Sequence, residues 1–470
     1  MIHFCKDAMN LYDYQQAALN DIRRAYREKC RAPLLVSPTG SGKTVMFSAI
    51  CKGIEERGKR AWILCHRQEL VDQISETLNE FGVVHGIIQS GTIPRPSARV
   101  QVASVFSLVR HLAQTAAPDL IVIDEAHHCI LRSTWGKILS AFPQALLLGV
   151  TATPARLSGE GLGDTFDRLI LGPSVAELIE RGRLSPVRVF APPTIDVSQV
   201  GSKMGEFIKS QLSAAVDKPK ITGDAIAHYQ AITPGARAAV FCCSLEHAAH
   251  MAKAARDAGI TAITIDGHTD KSVRRAIIRD FSNGLIQWLV SVDLISEGFD
   301  CPGIDVGISL RPTQSLGLWL QQCGRILRTA PGKSCATILD HAGNSLRHGL
   351  PTEDRDWSLS GKVQKSGSGE RAVSVRVCPS CFSAQRSGGS VCKHCGAAFP
   401  VEPRTVSRQK GQLQEITQEE IDARRERQRQ GQAKSLENLI AIGRTRGYKD
   451  PEGWAAHAMG GRKWKRKEKS

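Results

Sequence analysis

Short runs of aliphatic and β-branched residues recur along this chain with room for a helix between successive runs, and that rhythm restricts the fold more than any composition figure. Between about residue 30 and 190 the runs are PLLVS, AWILC, VQVAS, LIVID and ALLLGVT; after residue 235 they are AAVFCC, TAITID, WLVSV and VGISL. Runs without polar alternation suit strands buried on both faces, and such strands joined by crossover helices form parallel sheets. EHAAHMAKAARDAG and KSVRRAIIRDFSNG supply helix-like spacers in the second set. The expected fold class is α/β, with two tandem parallel-sheet domains. At 470 residues the chain exceeds what one core usually serves, which agrees with that count.

The stretch SPTGSGKT, 37–44, lies between the strand-like PLLVS and the helix-like TVMFSAICKGIEERG. A strand-to-helix turn of this kind cradles phosphate through Thr39, Gly40, Ser41 and Gly42. The two glycines let backbone N–H groups turn inward, the helix N-terminus adds positive potential, Lys43 reaches the β and γ phosphates, and Thr44 ligates Mg²⁺. Ser37 stands where the usual pattern has its first glycine. A glycine-rich turn with an exposed lysine is the alternative, and the co-occurrence of strand, GKT and helix argues against it. LIVIDEAHH ends a buried run in Asp124 and Glu125, at the sheet edge where ligands bind in this architecture. Asp124 suits Mg²⁺, usually through water, and Glu125 suits orienting and deprotonating the attacking water.

Cys378, Cys381, Cys392 and Cys395 form a C-x2-C-x10-C-x2-C cluster. Four thiolates in two tight turns suit tetrahedral Zn²⁺; disulfides are the alternative, disfavoured inside a reducing cell. His394 is an alternative ligand, but with four thiols available the expectation is a spectator. The other ten cysteines are scattered through apolar stretches, as suits reduced thiols. No apolar run reaches about 18 residues and no leader-like start is seen, so the expectation is a cytoplasmic protein, nucleoid-associated in a bacterium, with no membrane partner. The formal charge of +16 and pI near 9.4 favour a polyanionic partner, and residues 404–470 hold 17 Lys or Arg against 9 Asp or Glu.

Taken in order, these segments resemble a superfamily 2 helicase of the DEAH-box kind, over roughly residues 10 to 350. LYDYQQAAL resembles the adenine-side motif, SPTGSGKT motif I, ILCHRQELVDQ motif Ia, DEAH (124–127) motif II and TATPAR (151–156) motif III; AVFCCSLEHA resembles motif IV, SVDLISEGFDCPGID motif V, and QQCGRILR (321–328) motif VI. The resemblance implies RecA-like domains. It implies that Gln15 reads adenine, that Asp300 lies near the ribose, and that Gln321, Arg325 and Arg328 face the γ-phosphate across the cleft. His127, Thr151 and Thr153 would couple nucleotide to movement. Backbone contacts to nucleic acid fall on Arg67, Ser104 and Ser244. The entrance departs from the usual pattern, with Tyr12 and Asp13 in its middle, and Tyr12 is a candidate to stack on adenine. Motor plus four-cysteine module is similar to bacterial RadD-type proteins, DNA-dependent ATPases connected with repair or recombination.

The resulting organisation is an ATP-binding RecA-like domain over 1–190, a connector over 191–213, a helicase C-terminal RecA-like domain over 214–353, a linker over 354–372, a zinc-ribbon-like module over 373–402 and a basic, partly helical tail over 403–470. Trp454 and Trp464 in the tail mix with basic residues, which suits base stacking or a small packed hairpin equally. The implied ligands are ATP, Mg²⁺, Zn²⁺ and DNA bound through its backbone, with single-stranded-DNA-binding or repair proteins as candidate partners. An RNA helicase, or a nucleic-acid adaptor with residual ATPase, stays open from the residues alone.

Overall fold

The computed structural model describes residues 11–92, 95, 97–156, 160–191, 200–203, 206–217, 219–292, 301, 303–360, 375–399 and 436–458. In the first domain α1 (Asp13–Arg27) precedes β1 (Pro33–Val36), α2 (Lys43–Glu56), β2 (Ala61–Cys65), α3 (Gln68–Glu80), β3 (His85–Ile88), β4 (Val100–Ser104), α4 (Val105–Leu108), β5 (Leu120–Asp124), α5 (Thr134–Ala141), β6 (Leu146–Thr151) and β7 (Arg168–Leu171). The seven strands are parallel in the order β3-β4-β2-β5-β6-β1-β7. β1, β2, β4 and β5 are buried at every position, as their mainly apolar runs suggest. Leu19, Phe47, Val71 and Leu78 cover one face, and Trp135, Ile138 and Phe166 the other. Because β6 lies between β5 and β1, with Val36 opposite Thr151 and Val150 opposite Asp124, the turns after all three strands meet at one edge.

α6 (Val175–Glu180), started by the Ser174–Glu177 capping box, leads to β8 (Val187–Phe190). Placing 1–190 in the first domain misassigns this strand: β8 pairs with the second sheet. VRVF is too short and too mixed to declare its sheet; only pairing decides it. A two-residue pair, β9 (Ser202–Lys203) and β10 (Glu206–Phe207), and α7 (Lys209–Val216) occupy part of the stretch expected as a bare connector. There follow α8 (Pro219–Ile232), β11 (Ala238–Phe241), α9 (Leu245–Asp257), β12 (Ala262–Ile265), α10 (Lys271–Ser282), β13 (Trp288–Ser291), β14 (Val306–Ser309), α11 (Leu316–Ile326), β15 (Ala336–Asp340) and α12 (Asn344–His348). This sheet is parallel, ordered β12-β13-β11-β14-β15-β8.

The polar stretch after Asp354 was expected to be a linker. Its first residues instead return to the first domain, where Trp357 and Leu359 pack on the core beside Phe166 and Gly163 N–H donates to Leu359 O at 2.9 Å. The cysteine module is also docked: β16 (Val375–Val377) and β17 (Ala384–Arg386) pack into the second domain's core, and Ser383 bridges Phe190 on the edge strand β8. A separate unit holds a helix, Leu436–Thr445, and a second over 451–458, closed by Leu439, Ala455 and Trp454. Trp464 and the rest of the tail lie outside the described residues. Among the described residues no helix is long and apolar enough to cross a membrane.

Candidate functional site

The 37–44 turn leaves β1 and enters α2. Gly40 (φ +88°) and Gly42 (φ +81°) are left-handed, and a Cβ at Gly42 would strike the Gln15 amide, so glycine is required there twice over. Ser37 is fully buried; its N–H donates to Thr151 O at 3.0 Å, and its hydroxyl sits where Gly172 passes, leaving no room for a Cβ on that glycine. It anchors the start of the turn to β6. Lys43 Nζ donates to Ser37 O (3.2 Å) and Pro38 O (3.4 Å), so the ammonium folds back on its own loop. Gln15 is buried: Nε2 donates to Ser41 O at 3.1 Å and Oε1 accepts from Tyr12 N at 3.0 Å. Tyr14 O–H donates to the same carbonyl at 3.1 Å. The Gln15 amide thus supports the phosphate turn. Tyr12 has the Arg183 guanidinium 3.5 Å above its ring.

Asp124 ends β5, is 6% exposed and accepts from Glu125 N at 3.0 Å. Burial, with Glu125 beside it, pushes its carboxyl up to about 7, against Lys43 and Arg325. Burial likewise pushes Lys43 below its ordinary value, with Glu125 and Asp124 opposing. Two carboxylates crowded in a desolvated corner are a donor set that a divalent cation relieves, and Thr44 with Asp124 would hold Mg²⁺ there. Glu125 itself is left-handed (φ 48°, ψ 56°), a conformation few non-glycine residues adopt. His127 Nδ1 lies 3.0 Å from Thr151 Oγ1 and 3.4 Å from Glu125 Oε2, and the Thr151 hydroxyl donates to Thr153 O at 2.9 Å. His127, Thr151 and Thr153 therefore form one cluster with the acidic pair.

The second domain closes the cleft with α11. Gln321 and Arg325 are buried on it, Arg328 follows its end, and both arginines act on Lys43. Burial pushes Arg328 below its usual value. Gly324 meets the phosphate turn so closely that a Cβ there would come 2.5 Å from Thr39 Cβ, while one at Gly317 would come 3.0 Å from Thr153 Oγ1. α11 thus touches both the phosphate turn and the 151–153 loop. Two arginines of the second domain, Arg325 and Arg328, brought to Lys43 and the two acids of the first fit a polyphosphate with its metal.

Residues 8–156 match the family model described as type III restriction enzyme, res subunit, and residues 218–330 match helicase conserved C-terminal domain. A 51.5 kDa protein of Lactococcus phage (isolate 7-9) is 36% identical over 391 residues, 83% of either chain. The chain belongs to the superfamily 2 helicases. The candidate ATP-dependent helicase IRC3 of Saccharomyces cerevisiae is 29% identical over 371 residues, 73% of this helicase but 53% of the yeast chain, so this helicase spans about half of that relative. A solved fragment assigned to an HsdR subunit of a type I restriction enzyme from Vibrio vulnificus YJ016 superposes with TM-score 0.55 at 22% identity, covering 74% of this helicase and 66% of that chain, a likeness of fold.

Of the helicase's expected nucleic-acid residues, Arg67 follows β2 at the same edge as the acids and is half-buried. Ser104 is only 5% exposed at the end of β4. Ser244 caps α9, accepting from His247 N at 3.2 Å and sharing a hydrogen bond with Ser213 Oγ at 2.9 Å. Asp300 lies outside the described residues. In the cysteine module all four Sγ atoms lie within 4.8 Å of one another, with Cys378–Cys395 and Cys381–Cys392 at 3.7 Å. Those separations are too long for disulfides and match the edge of about 3.8 Å in a tetrahedron of 2.3 Å Zn–S bonds. Phe382, where zinc ribbons often have glycine, is left-handed (φ 57°), which explains the usual glycine; here its carbonyl accepts from Ala191 N at 2.9 Å.

Sequence reasoning missed the left-handed Glu125, the Thr39–Gly324 approach, Arg183 over Tyr12, and the contact of His66 with His128. No local pattern signals any of them, since each joins segments far apart or depends on backbone torsion.

Proposed function

We propose that this helicase is an ATP-driven motor on DNA, of DEAH-box type, which hydrolyses ATP in response to nucleic acid and translocates on, separates or remodels it in repair, recombination or replication. One observation carries the reading: α11 of the second domain delivers Arg325 and Arg328 to the Lys43, Asp124 and Glu125 cluster of the first. Hydrolysis can then be felt as closure and release of two bodies, which is what a stepping motor needs.

In this reading the phosphate turn over Thr39–Thr44 and Lys43 hold the β and γ phosphates, and Glu125 takes a proton from the attacking water. Gln321 and the two arginines meet the γ-phosphate, while Gln15 and Asp300 serve the nucleoside end. Mg²⁺, when bound at Thr44 and Asp124, neutralises charge developing on the phosphates. Arg67 is the best placed backbone contact, and sequence-independent, salt-sensitive binding is expected from such contacts. The restriction-enzyme description matched over 8–156 supports DNA as the track. Zn²⁺ at Cys378, Cys381, Cys392 and Cys395 would brace the edge strand β8.

The test is ATP turnover with no nucleic acid, single-stranded DNA, duplex DNA and RNA. DNA should stimulate most. Glu125→Gln should remove stimulated hydrolysis by roughly 10²–10⁴-fold; persistence of hydrolysis in that variant sinks the reading, and preferential stimulation by RNA sinks its choice of track.

A further inference from the structure

β2 and β5 are neighbours in the first sheet, with Leu64 opposite Ile123, and three histidines follow their ends. His66 precedes Arg67. Its ring centroid is 3.9 Å from that of His128 at a 40° tilt, and His128 is 4.2 Å from His127. His127 in turn lies 3.4 Å from Glu125 Oε2, and His128 N donates to Glu125 O at 2.9 Å. The short 3-10 turn Ala126–His128 is thus gripped at one end by the left-handed Glu125 and at the other by the ring of His66.

That turn has the makings of a two-position element. A non-glycine residue at φ 48°, ψ 56° is strained and persists only while its surroundings hold it. Here Glu125 Oε2 lies 3.4 Å from His127 Nδ1 and, although buried, makes no hydrogen bond among the described residues, so the carboxylate sits beside the turn with that oxygen still open to a partner. A small displacement of His66 would press on the His128 ring, rotate the turn and redirect Glu125.

We propose that His66 and His128 are positioning residues that carry the presence of nucleic acid at Arg67 to the carboxylate of Glu125. The idea rests on the motor reading above and adds to it a route separate from the contacts of His127 with Thr151. A phosphate drawn to Arg67 shifts the start of α3, His66 moves with it as the adjoining residue, and the ring contact passes the shift to the turn that aims Glu125. Neither ring belongs to the phosphate turn or to α11, so the route can be cut without removing a group that meets ATP. Packing alone would place two rings together as well, and the experiment separates the two cases.

ATP turnover of the full chain is measured with and without a single-stranded DNA oligonucleotide for the wild type, His66→Ala, His128→Ala, His66→Phe and His128→Phe. The alanine variants should keep DNA-free turnover and KM for ATP within about twofold while losing stimulation by roughly tenfold, within the range known for coupling residues. Their affinity for the oligonucleotide in the presence of a non-hydrolysable ATP analogue should not change. The phenylalanine variants, which keep a flat ring, should recover most of the stimulation and also guard against a folding defect. Full stimulation in both alanine variants overturns the relay, as does an equal fall with and without DNA. A wild type that no nucleic acid stimulates overturns the motor reading, and the relay with it.

Discussion

The nucleotide cleft and the cysteine cluster are both built from short motifs, yet they hold together in opposite ways. The cluster draws its four ligands from 18 consecutive residues, so its geometry is nearly complete once the two turns form. The cleft draws on residues 15, 39–44, 124–127, 151–153 and 321–328, and its second half arrives on a different sheet. The first is a matter of local folding and the second of domain approach. Damage to the cleft should therefore spare the fold and abolish turnover, whereas damage to the cluster should spread into the sheet it braces.

The largest effect belongs to the cleft. Lys43→Ala removes the cation that acts most on Asp124 and is expected to lower kcat/KM for ATP by about 10³-fold or more, the scale of losing a principal electrostatic contact. The melting temperature should stay close to that of the wild type, because among the described residues the hydrogen bonds of Lys43 Nζ go to carbonyls of its own loop. A steep loss of stability in this variant would break the contrast.

The cluster should answer in the reverse sense. Cys378→Ser with Cys381→Ser is expected to eliminate bound zinc, about one ion per chain in the wild type by metal analysis. Ala384, Val375 and Val377 belong to the second domain's core, so the loss should also lower thermal stability by several kcal/mol. Hydrogen exchange should show deprotection concentrated in β8 and β15, with β1 and β5 unaffected. Unchanged zinc content would refute the ligand set.

The second sheet also carries an acid sensitivity of its own. His247 is fully buried and burial pushes its imidazole down to about 4; His341, likewise buried, is pushed down to about 3 with His228 adding to the effect. Unfolding returns each to about 6.5. Below that value the unfolded chain takes up protons the folded one refuses, so stability is lost as the pH falls from about 6.5 toward 4, by up to about 3 kcal/mol for His247 alone. Melting curves across that interval should show the loss, and His247→Phe should reduce it while leaving the share of His341.

How much of this was legible beforehand follows the same division. PLLVS, AWILC, VQVAS and LIVID hold strands in the structure because each is mainly apolar and bounded by polar turns. The four thiols were readable from spacing, and their 3.7 Å separations need nothing from elsewhere. β8 was assigned to the wrong sheet because its partner, β15, lies about 150 residues away, and nothing in VRVF names that partner. Trp357 and Leu359 looked like linker because the polar composition around them hides two residues whose burial depends on a groove in another domain. Ser244, expected as a backbone contact to nucleic acid, also caps α9, a local role that motif spacing did not announce. Motifs announced which residues assemble; torsions and docking, which depend on the whole chain, did not show in them.

Between the two regions stands Gly324, where the cleft's dependence on domain approach can be probed without touching a catalytic group. Its Cα faces Thr39 so closely that valine would wedge α11 away from the phosphate turn. Gly324→Val should reduce kcat by roughly ten- to a hundredfold, as a displacement of about 1 Å does, while leaving nucleotide binding to the first domain within a few-fold. Equal losses in kcat and nucleotide affinity would mean that the second domain is needed for binding as well as for turnover. The smallest effect is expected at Ser37. Its N–H donates to Thr151 O whatever the side chain, and its hydroxyl makes no hydrogen bond among the described residues, so Ser37→Gly removes only packing against Gly172 and some backbone restraint. A loss of about 1 kcal/mol in stability and less than threefold in turnover is the expected result. A much larger fall in turnover at constant stability would show that the hydroxyl acts on the bound nucleotide, and would move Ser37 from the frame of the cleft into its chemistry.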